Sequence, residues 1–283
     1  MMILSHAKIN IYLEITGKRA DGYHELISLM CPIELADTLR IGFSCSAITI
    51  TCAHPEVPED NSNLAARAAR FFFAEAGLPP GADIFIEKHI PVGAGLGGGS
   101  SNAAAVLKAL NENYGRPLAR EKLMALGRRI GADVPFFIDE RPALATGVGE
   151  HLTPWPYLPP YSLVLIYPNR PVSTAEVYRG MNFGLTKSKK INRKDTFRRL
   201  RKNAAAGLLR NDLEEQAIAI CPEIAAAKEV LRAHGADGAL MSGSGSAVFG
   251  LYPDFPSAQK ACDDVKNISP DWTVYASSLR LGQ

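Results

Sequence analysis

The segment of this 283-residue chain with the most evident chemistry is Pro91-Val92-Gly93-Ala94-Gly95-Leu96-Gly97-Gly98-Gly99-Ser100-Ser101, followed at once by Asn102-Ala-Ala-Ala-Val-Leu-Lys-Ala-Leu110. The glycines at 93, 95, 97, 98 and 99 let the backbone turn several N–H groups toward one concavity, and the helix start adds unbonded N–H donors and the positive end of a dipole. That arrangement suits a polyphosphate. A helix end alone contributes only about 0.3–1 kcal/mol per charge when exposed, so the converging N–H groups must supply most of the affinity. Ser100 and Ser101 could cap the helix, bind phosphate oxygens or reach a magnesium ion. The plainer alternative, a tight turn packed on a strand, needs one or two glycines and not five. A P-loop would require a lysine after the glycines, and none follows. Gly93-x-Gly95-x-x-Gly98 matches the dinucleotide fingerprint in form, yet Pro91 separates strand from loop and no acidic residue stands about 20 positions on.

Phosphoryl transfer is mostly positioning and charge stabilisation, so it asks for cations on the phosphates and a carboxylate to accept the alcohol proton. Lys8 and Asp133 are of the right types. Each also has an ordinary reading, a solvated lysine on a strand face and an aspartate capping Pro135-Phe136, and spacing alone does not bring them together.

The elements that would carry these residues follow from periodicity. Residues 8–15 alternate, with Ile9, Ile11, Leu13 and Ile15 on one face and Lys8, Asn10, Tyr12 and Glu14 on the other, which predicts a half-buried strand. A turn at Asp21-Gly22, strands at 36–43 and 46–52, and a helix at 63–76 ended by Gly77 are expected next. A strand at 82–89, the loop 91–99, and helices at 100–114 and 119–130 follow, and Pro135 is expected to place Asp133 at a helix exit. The proline-rich stretch 153–160 reads as a linker, giving domains 1–153 and 154–283. Beyond it lie an expected strand (161–167), a helix opened by Ser173-x-x-Glu176, helices near 212–221 and 222–234, and strands near 237–241, 246–252 and 272–279. The mixture argues for an α+β fold in both halves.

Composition narrows the partners. With 31 Lys+Arg against 29 Asp+Glu the net charge is +2, and no nucleic-acid or membrane partner is called for. Cys31, Cys45, Cys52, Cys221 and Cys262 are odd in number and show no C-x-x-C pair, so buried free thiols are expected. The first fifteen residues carry no basic leader, no run reaches the ~20 apolar residues of a membrane span, and a cytoplasmic location is expected. The basic segment 187–202 reads as a solvated surface insertion.

Pro91-x-x-x-Gly95-Leu96-Gly97-x-x-Ser100-Ser101 followed by alanines resembles the phosphate loop of the GHMP kinases. Ala7-Lys-Ile-Asn10, Gly17-Lys-Arg-Ala-Asp-Gly-Tyr-His24, Gly131-Ala-Asp-Val-Pro135, Asn211-Asp-Leu-Glu214 and Ser242-Gly-Ser-Gly-Ser246 are similar to segments of those members that phosphorylate a cytidyl sugar alcohol in the non-mevalonate isoprenoid pathway. The resemblance covers about residues 7–249. It implies a two-domain α+β fold with the active site in the cleft between domains, ATP and Mg2+ as cofactors, and transfer of the γ-phosphate to the 2-hydroxyl of that alcohol. It implies Asp133 as base with Lys8 as its charged neighbour, and a nucleotide site of Pro91, Val92, Gly93, Ala94, Gly95, Leu96, Gly97, Gly98, Gly99, Ser100 and Ser101, with Asn63 and Lys88 nearby and Gly243 and Gly245 forming the far wall. Asn10, Tyr23, His24, Thr174 and Tyr178 would contact the substrate, Tyr178 by stacking. Met30 stands where the family often places an aromatic residue, so ring stacking would be replaced there by a thioether. Alternatives are another kinase of the family, acting on mevalonate or homoserine, which gives Tyr23-His24 no clear purpose, and a non-catalytic nucleotide- or RNA-binding module using the basic segment, which lacks an accompanying aromatic surface.

Overall fold

The computed structural model describes residues 1–43, 46–181 and 205–282. They group into two compact units that alternate along the chain: Met1–Ala7, Leu35–Val92 and Gly97–Arg141 form one, and Lys8–Glu34, Gly93–Leu96 and Pro142–Gln283 the other. The long strands β1 (Met2–Lys18) and β2 (His24–Gly42) each change unit part way along.

In the first unit β3 (Ile48–Cys52) pairs in parallel with β4 (Ala82–Glu87), and β4 pairs antiparallel with Thr38–Gly42 of β2. Along β4, Ala82, Ile84 and Ile86 point into the core while Asp83 and Glu87 are exposed, the alternation of a one-sided strand. Helices α1 (Leu64–Ala76), α2 (Gly98–Asn113), α3 (Arg120–Ile130) and α4 (Val134–Asp139) pack together beside it. α1 begins and ends where its residues predict: Asn63 caps it by accepting from Ala65 N, and Gly77 closes it in a left-handed conformation. α2 is buried from Ser101 to Leu107, and its run of alanines lets neighbouring helices approach closely.

Two expectations change here. α2 starts at Gly98 and not at Ser100, with Gly97 as its N-cap, so Ser100 and Ser101 lie inside the first turn and do not cap it. Asp133 is not at a helix exit: Gly131 ends α3 in extended conformation and Asp133 is the N-cap residue of α4. Pro135 permits this because an N–H in the first turn has no intrahelical partner to lose.

In the second unit β1 runs parallel to β8 (Arg210–Asn211), with Tyr12 opposite Arg210 and Leu13 opposite Asn211. Leu26–Met30 of β2 pairs with β5 (Ala143–Gly147), and β5 with β6 (His151–Pro154). A separate antiparallel sheet has the order β11 (Thr273–Ser278), β7 (Ser162–Tyr167), β10 (Val248–Tyr252), β9 (Gly238–Met241). Around it stand α5 (Thr174–Gly180), α6 (Glu214–Ile220), α7 (Glu223–Ala233) and α8 (Phe255–Ile268). Val164, Ile166, Leu213, Ile224, Leu231, Met241, Val248 and Val265 belong to one apolar core.

Residues 8–15 form a strand as expected, but it is not half-solvated: Lys8, Asn10, Tyr12 and Glu14 are each 4% exposed. β2 begins at His24, well before residue 36, because Ile27–Ile33 is buried on both faces and shows no alternation. The proline-rich stretch is packed, with Trp155 and Leu158 buried and Trp155 N donating to Pro142 O at 2.8 Å. Cys31, Cys52, Cys221 and Cys262 are buried free thiols. Cys45 and the basic segment 187–202 lie outside the described residues. Among the described residues no helix is long and apolar enough to cross a membrane.

Candidate active site

The glycine stretch is held in two parts. From Gly97 onward it belongs to the first unit, where the N–H groups of Gly98, Gly99 and Ser100 open α2 with no carbonyl of the helix available to them. Ser101 is buried, its Oγ 2.7 Å from Ser5 Oγ, which also lies 2.8 Å from Asn102 Oδ1. Ser100 is half-buried in the same turn, its Oγ 3.6 Å from where a Cβ on Gly131 would stand.

The lead-in to the helix carries a clamp that spacing did not reveal. Asp37, fully buried, accepts from His89 N and Ile90 N at 2.8 Å and pairs with Lys88 Nζ at 2.5 Å. A Cβ built on Gly98 would stand 3.0 Å from Lys88 Nζ, so this ammonium lies against the start of α2. Lys88 thus stands beside a helix N-terminus with its charge paired to Asp37. Asn63, by contrast, spends its amide on structure: Oδ1 caps α1 and Nδ2 donates to Pro58 O at 2.7 Å.

Gly93–Leu96 belongs to the second unit, where it docks onto the late loop Ser242–Ser246. Ala247 N donates to Ala94 O at 3.1 Å and Ser242 Oγ to Gly95 O at 3.2 Å. Gly95 and Gly243 have φ of +78° and +56°, and a Cβ on Gly95 would sit 2.2 Å from Ser242 O, one on Gly243 2.8 Å from Gly95 O. The two glycine loops therefore meet backbone to backbone, which only glycine allows. Gly245 is in the same turn, its N–H bonded to Ser242 O.

Lys8 is tied to this loop through its main chain, Lys8 N donating to Leu96 O at 3.0 Å. Its side chain heads a buried chain of polar groups: Nζ donates to Asn10 Oδ1 at 2.6 Å, Asn10 Nδ2 to Ser28 Oγ at 2.7 Å, and Ser28 Oγ to Tyr12 O at 2.9 Å. Strand period places Lys8 and Asn10 on one face, and Ser28 on the neighbouring strand β2 fixes the amide orientation. Ser28 is a residue that spacing along β1 could not have found. Asp133 is half-buried at the start of α4, in the first unit, and its side chain makes no capping bond to that helix.

The residues expected at the substrate are likewise in the second unit. His24 and Tyr178 stack, with ring centroids 5.0 Å apart and planes at 21°. Burial, then the charge of Lys18, lowers the His24 pKa, so the imidazole is neutral at pH 7 and offers one donor and one acceptor. Thr174 Oγ1 lies 2.7 Å from Ser244 Oγ, linking α5 to the late loop. Tyr23 is 66% exposed, and Met30 is buried opposite Ala143. Among the described residues no three His, Cys, Asp or Glu side chains gather as a metal cage. A magnesium ion that keeps its waters and rides on nucleotide phosphates needs only one or two protein oxygens, not a cage.

Known proteins share this pattern. Residues 63–141 match the model of the GHMP kinases N terminal domain and residues 189–270 that of the GHMP kinases C terminal. The chain is 46% identical to the 4-diphosphocytidyl-2-C-methyl-D-erythritol kinase of Geobacter metallireducens over 95% of each chain, and 44% identical to that of Syntrophotalea carbinolica over 96% of each. A crystal structure of 4-(cytidine 5'-diphospho)-2C-methyl-D-erythritol kinase superposes over 100% of both chains with a TM-score of 0.83 and 38% identity. A mevalonate kinase structure, at 16% identity and a TM-score of 0.74 over 99% of both chains, shares the fold. The chain belongs to the GHMP kinases and, within them, to the 4-diphosphocytidyl-2-C-methyl-D-erythritol kinase family.

Proposed function

We propose that the protein transfers the γ-phosphoryl group of ATP to the 2-hydroxyl of 4-diphosphocytidyl-2-C-methyl-D-erythritol, in the non-mevalonate isoprenoid pathway. The observation that carries this reading is Lys8: a 4%-exposed ammonium, oriented by Asn10, on a strand whose main chain is bonded to the glycine loop.

In this reading residues 91–101 hold the phosphates, with the N–H groups that open α2 supplying the positive field, the Lys88–Asp37 pair beside them, and Asn63 shaping the margin of the site. Gly243 and Gly245 wall it from the late loop. Asp133 accepts the proton of the acceptor hydroxyl as its oxygen bonds to the γ-phosphorus and the bond to ADP breaks, and Lys8 is the cation that the family resemblance assigns to the developing charge. Magnesium, held by the phosphates with the Ser100 hydroxyl as the protein oxygen, would neutralise charge on the transferred group. Neutral His24, Tyr178, Tyr23, Asn10, Met30 and Thr174 form the pocket for the cytidyl end and its sugar alcohol, the base extending the His24–Tyr178 stack. Residues 1–153 carry the nucleotide motifs and 154–283 the remainder, a division by motif and not by compactness. The same reading places the enzyme in the cytoplasm, in keeping with the free thiols of Cys31, Cys52, Cys221 and Cys262 among the described residues.

An ADP-release assay with the cytidyl sugar alcohol, mevalonate and homoserine as acceptors tests the substrate. Turnover should be confined to the first; preference for either other alcohol would overturn the assignment. Asp133→Asn should lower kcat by about 10²–10⁴-fold while ATP affinity measured by calorimetry stays within twofold. Near-normal turnover would remove the aspartate from the chemistry.

A further inference from the structure

The segment Asn211-Asp-Leu-Glu214 has no part in the chemistry described above, yet its side chains are committed to the late glycine loop. Asn211, 8% exposed, uses both amide hydrogens on main-chain carbonyls, Nδ2 donating to Met241 O at 2.9 Å and to Gly243 O at 2.8 Å. Its Oδ1 accepts from Leu213 N at 3.0 Å, which prevents the amide from flipping. Glu214 grips the same corner from α6: Oε2 accepts from Met241 N at 2.9 Å, and its other oxygen pairs with Lys228.

In a trans peptide the carbonyl and the following N–H point in opposite directions. Holding the Met241 and Gly243 carbonyls therefore turns the N–H groups of Ser242 and Ser244 away from Asn211. Ser242 N obeys this by bonding Ala247 O at 2.9 Å. The loop so oriented is the one whose Ser242 O and Gly243 backbone abut Gly95, and whose Ser244 Oγ meets Thr174. Conformation is thus passed from Asn211 to Ser242–Gly245 and on to Gly93–Leu96, all inside one compact unit.

We infer that Asn211 is a positioning residue for the nucleotide: through two carbonyls it sets the late loop, and through the late loop the leading part of the glycine stretch, Gly93–Leu96. The inference rests on the phosphate-loop reading given above. Asn211→Asp is nearly isosteric and keeps the acceptor for Leu213 N, but it places carboxylate oxygen against two carbonyl oxygens. Asn211→Ser removes the paired donors without adding charge, should the aspartate variant fold poorly.

Both full-length variants are compared with the native chain by hydrogen exchange without ligand, by circular dichroism, and by steady-state kinetics. The expected result is faster exchange in peptides covering 93–97 and 241–247, a KM for ATP raised about tenfold, and a KM for the acceptor within twofold of native. Unchanged exchange in those two segments would overturn the clamp. Looser loops with ATP and acceptor KM moving together, or neither moving, would overturn its role toward the nucleotide. Failure of the native chain to bind ATP would refute the phosphate-loop reading instead, while the exchange comparison still judged the clamp.

Discussion

An ammonium that is 4% exposed must be desolvated at a cost, and the Lys8 to Asn10 to Ser28 chain shows how the protein offsets it. Each member is held by the next, so the orientation of Lys8 depends on a serine twenty residues away in sequence. Ser28→Ala leaves Asn10 Nδ2 without its acceptor and should cost about 1–3 kcal/mol of stability, measured by urea unfolding. Its effect on catalysis should fall on kcat, with KM for ATP unchanged, because the glycine loop is tied to the Lys8 main chain and not to its side chain. Lys8 and Asn10 were legible as residues able to do chemistry from their types and their shared strand face. Their burial was not, since alternation predicts one wet face, and in this strand both faces are buried. Asp37 was not legible either: nothing in one dimension relates residue 37 to the peptide groups of 89 and 90.

Elements whose boundaries depend on local punctuation were readable, as with α1 between Asn63 and Gly77. Those decided by tertiary burial were not. The N-terminal half of β2 is centred on Ile27–Ile33, which is buried on both faces and does not alternate. α8 has its signal in Asp254, which caps Ser257 N, and Pro256 in its first turn, but its stripe of Ala258, Ala261, Cys262 and Val265 is too weakly apolar to announce a helix. At this scale the glycine loops make a sharp prediction. Gly95→Ala places a Cβ 2.2 Å from a main-chain oxygen at a φ of +78°, so roughly 1–3 kcal/mol of backbone strain adds to the clash. Thermal unfolding should fall by several degrees and KM for ATP should rise. A second prediction concerns the end of α4. Burial opposes ionisation of Glu140, but the His6 hydrogen bond and the Lys108 charge outweigh it and hold its pKa at about 2. A depressed carboxylate contributes stability above the ordinary glutamate pKa and loses it as pH falls from there toward 2, a contribution of at most about 3 kcal/mol. Glu140→Gln should therefore be less stable at pH 7 and show a flatter loss of stability between pH 5 and 2.

For the molecule as a whole, the chain passes from one unit to the other at Ala7/Lys8, Glu34/Leu35, Val92/Gly93, Leu96/Gly97 and Arg141/Pro142. Neither unit is a continuous stretch, so cutting the chain once cannot release both intact. A fragment of residues 142–283 lacks the strand that pairs with β5, the strand that pairs with β8, and Leu13 of the apolar core. It should show no cooperative thermal transition by circular dichroism, and a sharp melt would contradict that expectation. The motif order along the chain was readable from residue types, whereas this interleaving was not, because compactness is set by long-range pairing that linear spacing does not record. The meeting of Gly95 with Ser242 and Gly243 carries a further consequence. The surfaces in contact are main chain, which no codon change can alter without adding bulk where none fits. A library of substitutions at Gly95 and Gly243 should therefore return glycine alone among active variants, since any other residue would cost the organism the loop it needs.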